Sequence, residues 1–111
     1  MNMQIRANFR SAALHKEIAK KLRENPRLWE VPKNNLKRWK ENRGRLWSAS
    51  QEWENILTNK SSEEILAVLE GDSEDCIRLR SSSPFTGILS EEERLKIFEA
   101  YSKLPDLFDE N

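Results

Sequence analysis

A chain of 111 residues with one cysteine and zero formal net charge has the length of one domain and can bury roughly 65% of the surface its unfolded form exposes. One cysteine excludes an internal disulfide, no stretch approaches the roughly 20 apolar residues of a membrane span, and the opening MNMQIRANFRS lacks a secretory apolar run, so a cytoplasmic protein with no membrane contact is expected. The zero net charge hides a segregation: residues 1–60 carry 14 Lys/Arg against 6 Asp/Glu, and residues 61–111 carry 5 against 13. Halves of +8 and −8 imply a basic surface for an acidic partner, or two halves that neutralise each other within one domain or across a homodimer.

With only two valines and no alternating run of β-branched or aromatic residues, the chain has no strand signal. Helix signals recur throughout. Ser11 is placed to cap a first helix through about Glu24, with Leu14, Ile18 and Leu22 forming one apolar stripe. Asn25-Pro26 stops it, and Pro26 opens a short turn carrying Leu28 and Trp29. Pro32 begins a helix through about Asn42 that Gly44 ends; Leu36 and Trp39 form its narrow apolar edge, and Lys33, Lys37, Arg38, Lys40, Arg43 and Arg45 make the rest basic.

Residues 46–59 give the strongest periodicity, with Leu46, Ala49, Trp53, Ile56 and Leu57 within one face at 100° per residue. Ser61 and Glu64 have capping-box spacing before a short helix whose Ile65, Leu66, Val68 and Leu69 mark it as the centre of the core, ended by Gly71. Asp72 or Ser73 caps a further helix holding Cys76, Ile77 and Leu79. A corner follows over 81–89: Ser83-Pro84 leaves the helical region and Gly87 permits a positive φ. Ser90 with Glu93 then opens a last helix bearing Leu95, Ile97, Phe98 and Tyr101, up to Pro105. The expected architecture is all-α, a compact bundle of five to six short helices forming a single domain over 1–111.

The residues offer little for catalysis. His15 is the only histidine and reads as a surface or half-buried helix residue. Cys76 has Glu74 and Asp75 beside it, which oppose a thiolate, so it reads as a small buried apolar group. One Cys and one His cannot build a zinc site, the glutamates lack calcium-loop spacing, and three glycines supply no phosphate loop. No enzyme activity, metal or cofactor is expected.

Two features remain that suit binding. Trp39 and Trp47 are interleaved with the bases of 33–45, which suits either a protein interface or phosphates with stacked bases. Of the four tryptophans Trp53 is a core residue, while Trp29 and Trp39 sit in polar surroundings where at least one can anchor a partner; the alternative is that all four pack the core.

The corner carries a signature, Leu79, Arg80, Ser83, Pro84, Phe85, Gly87, Leu89, Glu93 and Arg94, that resembles a group of small bacterial all-α proteins sharing Leu-Arg-x-x-Ser-Pro-Phe-x-Gly-x-Leu-x-x-x-Glu-Arg. Residues 28–30, 36–39 and 52–54 extend the resemblance upstream. Some of those proteins look antitoxin-like or defence-associated, which implies a protein partner more than a substrate. Within the signature Arg80 and Arg94 lack an obvious structural duty: each either clamps the corner through backbone carbonyls or presents its fork to a partner carboxylate.

The sequence therefore reads as a non-enzymatic protein-interaction module, antitoxin-like or regulatory, acting on a protein partner or as a homodimer. Its expected contacts are Trp29, Arg38, Trp39 and Arg43 on the basic side and Arg80, Phe85 and Arg94 at the corner. The alternative is nucleic-acid binding through the basic helix 33–45.

Overall fold

The computed structural model of the chain describes residues 3–102, with side chains over 5–101. Among these residues there are six α-helices, one 3₁₀ turn and no strand, as an all-α bundle requires. They are α1 (Met3–Glu24), the 3₁₀ turn (Pro26–Trp29), α2 (Glu30–Arg43), α3 (Ser48–Asn59), α4 (Ser62–Glu70), α5 (Glu74–Arg80) and α6 (Glu91–Ser102).

The punctuation is local and follows side-chain chemistry. The Asn25 side chain accepts from the Arg27 N–H at 3.2 Å, with Pro26 opening the turn where a missing N–H is harmless. Gly44 ends α2 at φ 78°, a left-handed conformation a β-carbon would resist. Both capping boxes form: Ser61 with Glu64, and Ser90 with Glu93, whose carboxylate takes the Ser90 N–H at 2.9 Å. Ser73, rather than Asp72, caps α5 by accepting from the Cys76 N–H at 3.1 Å.

The starts of α1 and α2 differ from the sequence reading. α1 starts at Met3, so Ser11 lies inside the helix and caps nothing. No Pro or Gly interrupts residues 3–10, and α6 supports that early stretch, with the Arg10 guanidinium 4.7 Å from the Phe98 ring centroid. α2 begins two residues before Pro32, continuing directly from the 3₁₀ turn. Gly71 does end α4, but in extended geometry at φ −80°, so a positive φ is not its reason. A β-carbon there would lie 2.6 Å from Cys76 Sγ and 2.8 Å from the Ala67 carbonyl oxygen, which excludes any larger residue without movement. The expected end of the last helix at Pro105 falls outside the described residues.

The core gathers where α4 lies along α1, the most extensive helix pairing in the fold. Ala19 is fully buried on the α1 side, beside Ile18 and Leu22; Ile65, Leu66 and Leu69 face them from α4. Trp53 and Phe85 fill the centre, edge to face with centroids 5.4 Å apart, and the Trp53 indole N–H is satisfied by the Leu79 carbonyl at 2.8 Å. Leu46, just before α3, faces inward with Ser50 and Trp53 of that helix; Ala49, expected to face in, is exposed. No helix among the described residues is long and apolar enough to cross a membrane.

Candidate functional site

The basic helix and the corner meet. Asn35 of α2, 5% exposed, donates through Nδ2 to the carbonyls of Pro84 and Thr86, both at 2.8 Å. Arg38 completes the chain by donating to Asn35 Oδ1 at 2.7 Å, which satisfies the amide on both sides. Within the corner the Phe85 N–H donates to Ser83 Oγ at 3.2 Å and Gly87 adopts φ 101°. The turn is thus held by an asparagine from a distant helix, which the sequence reading did not identify. The pair Asn34-Asn35 inside a helix was its one trace, because asparagine is a poor helix former without a tertiary duty.

Two expected corner contacts are corrected by burial. Phe85 is 1% exposed, wedged edge-on between Trp53 and Trp29, whose centroid is 6.2 Å away; it belongs to the core and offers no surface to a partner. Arg80, 5% exposed, is consumed internally: its Nη1 donates to the carbonyls of Val68 at 3.0 Å and Gly71 at 2.6 Å. Those carbonyls sit at the C-terminal end of α4, where the helix leaves acceptors unpaired and a cation is favourable. Arg80 therefore clamps the end of α4, and Asn35 clamps the corner. Arg94 remains exposed, its guanidinium 5.6 Å from the Phe98 ring centroid.

The basic side divides by what its charges meet. On α1, Lys21 pairs with Glu93 at 2.7 Å and Arg23 makes a two-pronged pair with Glu70 at 2.6 and 2.8 Å, so part of the charge segregation is neutralised internally. Arg78 of α5 pairs with Glu52 in the same forked manner. Lys21 and the Ser90 N–H together hold the Glu93 carboxyl down at about 2. By contrast, none of Lys33, Lys37, Arg38, Lys40, Arg43 and Arg45 forms an ion pair among the described residues.

The tryptophans sort along the same surface. Trp29 and Trp39 are half-buried and pack against the core. Trp47, just before α3, is 63% exposed, with the Arg43 guanidinium 4.4 Å from its ring centroid. Trp39, Arg43 and Trp47 share a shallow concavity of ≈250 Å³ with Ser81, Ser82 and Ser83, which joins the basic helix and the corner in one continuous face. The ring most available to a partner is thus Trp47, outside the expected contact set.

The reactive residues lie elsewhere. His15 is 6% exposed and donates from Nδ1 to the Ser11 carbonyl at 2.7 Å, which assigns the proton to Nδ1. Burial, with Arg80 nearby, pushes its pKa down to about 4, so the ring is neutral near pH 7. It lines a cleft of ≈270 Å³ with Arg80 and Arg94, and its Nε2 is buried without a hydrogen-bond partner. Cys76 packs on Gly71 and Ala67, on the α4–α5 side. Among the described residues no group of three His, Cys, Asp or Glu side chains is placed to hold a metal ion.

Comparison with family models, with curated proteins and with solved structures finds no match to this chain.

Proposed function

We propose that the chain is a non-enzymatic protein-interaction module, antitoxin-like or regulatory in kind, that recognises an acidic protein partner through the face built by α2 and Trp47. The observation that carries this reading is the contrast in ion pairing. Lys21 and Arg23 of α1 and Arg78 of α5 have carboxylate partners, whereas the six bases of residues 33–45 have none among the described residues, and an exposed Arg43–Trp47 stack sits at their end. Trp and Arg are the side chains that most often dominate protein interfaces. A cytoplasmic setting suits the lone thiol of Cys76, and the signature of residues 79–94 supports the antitoxin-like part of the reading.

The test is co-purification of the native protein, followed by intact mass measurement of the assembly. The replacements Arg43→Ala and Trp47→Ala touch exposed side chains, so the fold is retained and the complex is weakened. An assembly unchanged by both replacements refutes the reading.

The same unpaired cations and open indole favour a second reading, nucleic-acid binding through residues 33–45. It requires affinity for DNA or RNA that falls steeply with added salt, because phosphate contacts release counterions. Absence of binding at low salt removes it.

A further inference from the structure

Two clefts, of ≈500 and ≈510 Å³, adjoin at Lys33 and Leu57, which line both: one lies between α2 and α3, the other among the end of α1, the 3₁₀ turn, the end of α3 and the start of α4. Together they make one groove. Its floor is apolar, with Trp29 and Ile65 at one end and Leu36 at the other, and along its rim Lys33, Lys37 and Lys40 form a single ridge at i, i+4, i+7 spacing. Counting every charged residue that lines it, Arg23, Lys33, Lys37, Lys40 and Lys60 face Glu54 and Glu63, a surplus of three positive charges. Arg23 and Lys60 have carboxylate partners; the ridge lysines have none. An occupant suited to it brings apolar side chains flanked by acids.

This chain contains such a segment. Beyond the described residues, 104–110 reads LPDLFDE, with Leu104, Leu107 and Phe108 at i, i+3, i+4 and Asp106, Asp109 and Glu110 between and after them. Its own copy's groove is out of reach. α6 runs antiparallel to α1, with Glu93 at Lys21 and Phe98 at Arg10, so Ser102 lies toward the start of α1 while the groove begins at Leu22. Twelve residues of α1 separate Arg10 from Leu22, about 18 Å at 1.5 Å per residue, and the last turn of α6 adds about 6 Å. Leu104 is two residues past Ser102 and can extend only about 7 Å.

We propose that this groove receives residues 104–110 of a second copy of this chain, and that the exchange is reciprocal, giving a two-fold dimer. The proposal rests on the reading of α2 as a protein-binding face and assigns an occupant to its Lys33, Lys37 and Lys40 edge. Reciprocity follows from symmetry: each copy offers one groove and one acidic segment, and closing both contacts at once satisfies them without an open chain of subunits. The arrangement places the unpaired lysine ridge against carboxylates, pairing bases of the first half of the sequence with acids of the second.

The experiment uses full-length protein in two purified variants, Lys37→Glu/Lys40→Glu in the groove and Leu107→Asp/Phe108→Asp in the segment, with mass in solution measured over a concentration series. Wild type is expected as a dimer that added salt weakens. Each variant alone is expected to raise the dissociation constant by about tenfold or more. An equimolar mixture of the two regains a heterodimer, because one intact groove meets one intact segment. Helical circular dichroism identical to wild type in both variants excludes unfolding as the cause. A wild-type monomer at about 100 μM, near the weak limit of specific pairing, overturns the proposal, as does a dimer indifferent to both variants or a mixture that stays monomeric. Any of these leaves the broader reading standing if the co-purified complex still depends on Arg43 and Trp47, which lie outside the groove. Binding of nucleic acid on the Lys37 ridge with no self-association overturns both.

Discussion

Asn35 donates to the Pro84 carbonyl at 2.8 Å across 49 residues of sequence, so the basic helix and the corner after α5 are tied into one rigid piece. With Arg38 behind it and Thr86 beside it, the amide has all its partners inside the protein.

Asn35→Leu leaves the Pro84 carbonyl buried without a donor and frees that of Thr86. The expected loss is about 2–4 kcal/mol, from two hydrogen bonds of which one partner becomes an unsatisfied buried group. Urea denaturation measures it. Asn35→Asp, which faces the two carbonyls with acceptors only, is expected to be no better despite retaining a bond to Arg38.

Gly71→Ala and Gly44→Ala both destabilise, for different reasons. At Gly71 the added methyl meets Cys76 Sγ and the Ala67 carbonyl at under 3 Å, so the cost is overpacking, about 1–3 kcal/mol. Combining it with Cys76→Ala recovers part of that loss but leaves the carbonyl clash. At Gly44 the new β-carbon meets nothing, and the cost is the left-handed backbone alone, about 1 kcal/mol. Thermal unfolding of the three variants separates the mechanisms.

His15 gives stability a pH dependence whose sign is set by burial. Its folded pKa is depressed to about 4 from 6.5, so the unfolded chain takes up the proton first as pH falls. The contribution is therefore fully present above pH 6.5, is lost progressively between 6.5 and about 4, and amounts to about 3 kcal/mol at 1.36 kcal/mol per unit. His15→Asn is expected to flatten the stability profile over that interval. Below it, loss of the Glu93 carboxylate from Lys21 and Ser90 continues the decline toward about 2 in wild type and variant alike.

Trp53→Phe and Trp47→Ala make a contrasting pair. The first removes one of the donors to the Leu79 carbonyl, which keeps the Ser82 N–H at 3.2 Å, and opens space at the core centre, at about 1–3 kcal/mol. The second removes a largely exposed ring, and changes stability by about 0.5 kcal/mol or less. Fluorescence follows the same division, with Trp47 the ring most open to an aqueous quencher.

Lys21→Ala and Arg23→Ala probe the internal half of the charge pairing. Both pairs are partly solvated, at 30% and 48% exposure of the basic side chain, so each loss is small. Chemical denaturation at low and high salt checks this, with the difference from wild type shrinking as salt rises.

What residues within four positions of each other can decide was legible in the sequence. The two capping boxes and the cap at Ser73 each depend on a side chain meeting a backbone group within one turn, the stop at Gly44 and the turn at Gly87 depend on a backbone free to take positive φ, and each forms. The helical class follows from them. The apolar periodicity also placed Leu22, Trp53, Ile65 and Leu69 in the core, because burial of one face is what makes such helices stable.

Tertiary structure alone decided the rest. Ser11 could not reveal that α6 supports the two turns before it, nor Arg80 that the end of α4 awaited a cation, nor Phe85 that Trp29 and Trp53 would close around it. The division of the bases into paired and unpaired likewise required knowing that Glu70 and Glu93 face α1 and not α2. A side chain's partner across the bundle is set by how whole helices pack, a sum over many weak contacts between distant residues, and no short stretch of sequence contains that sum.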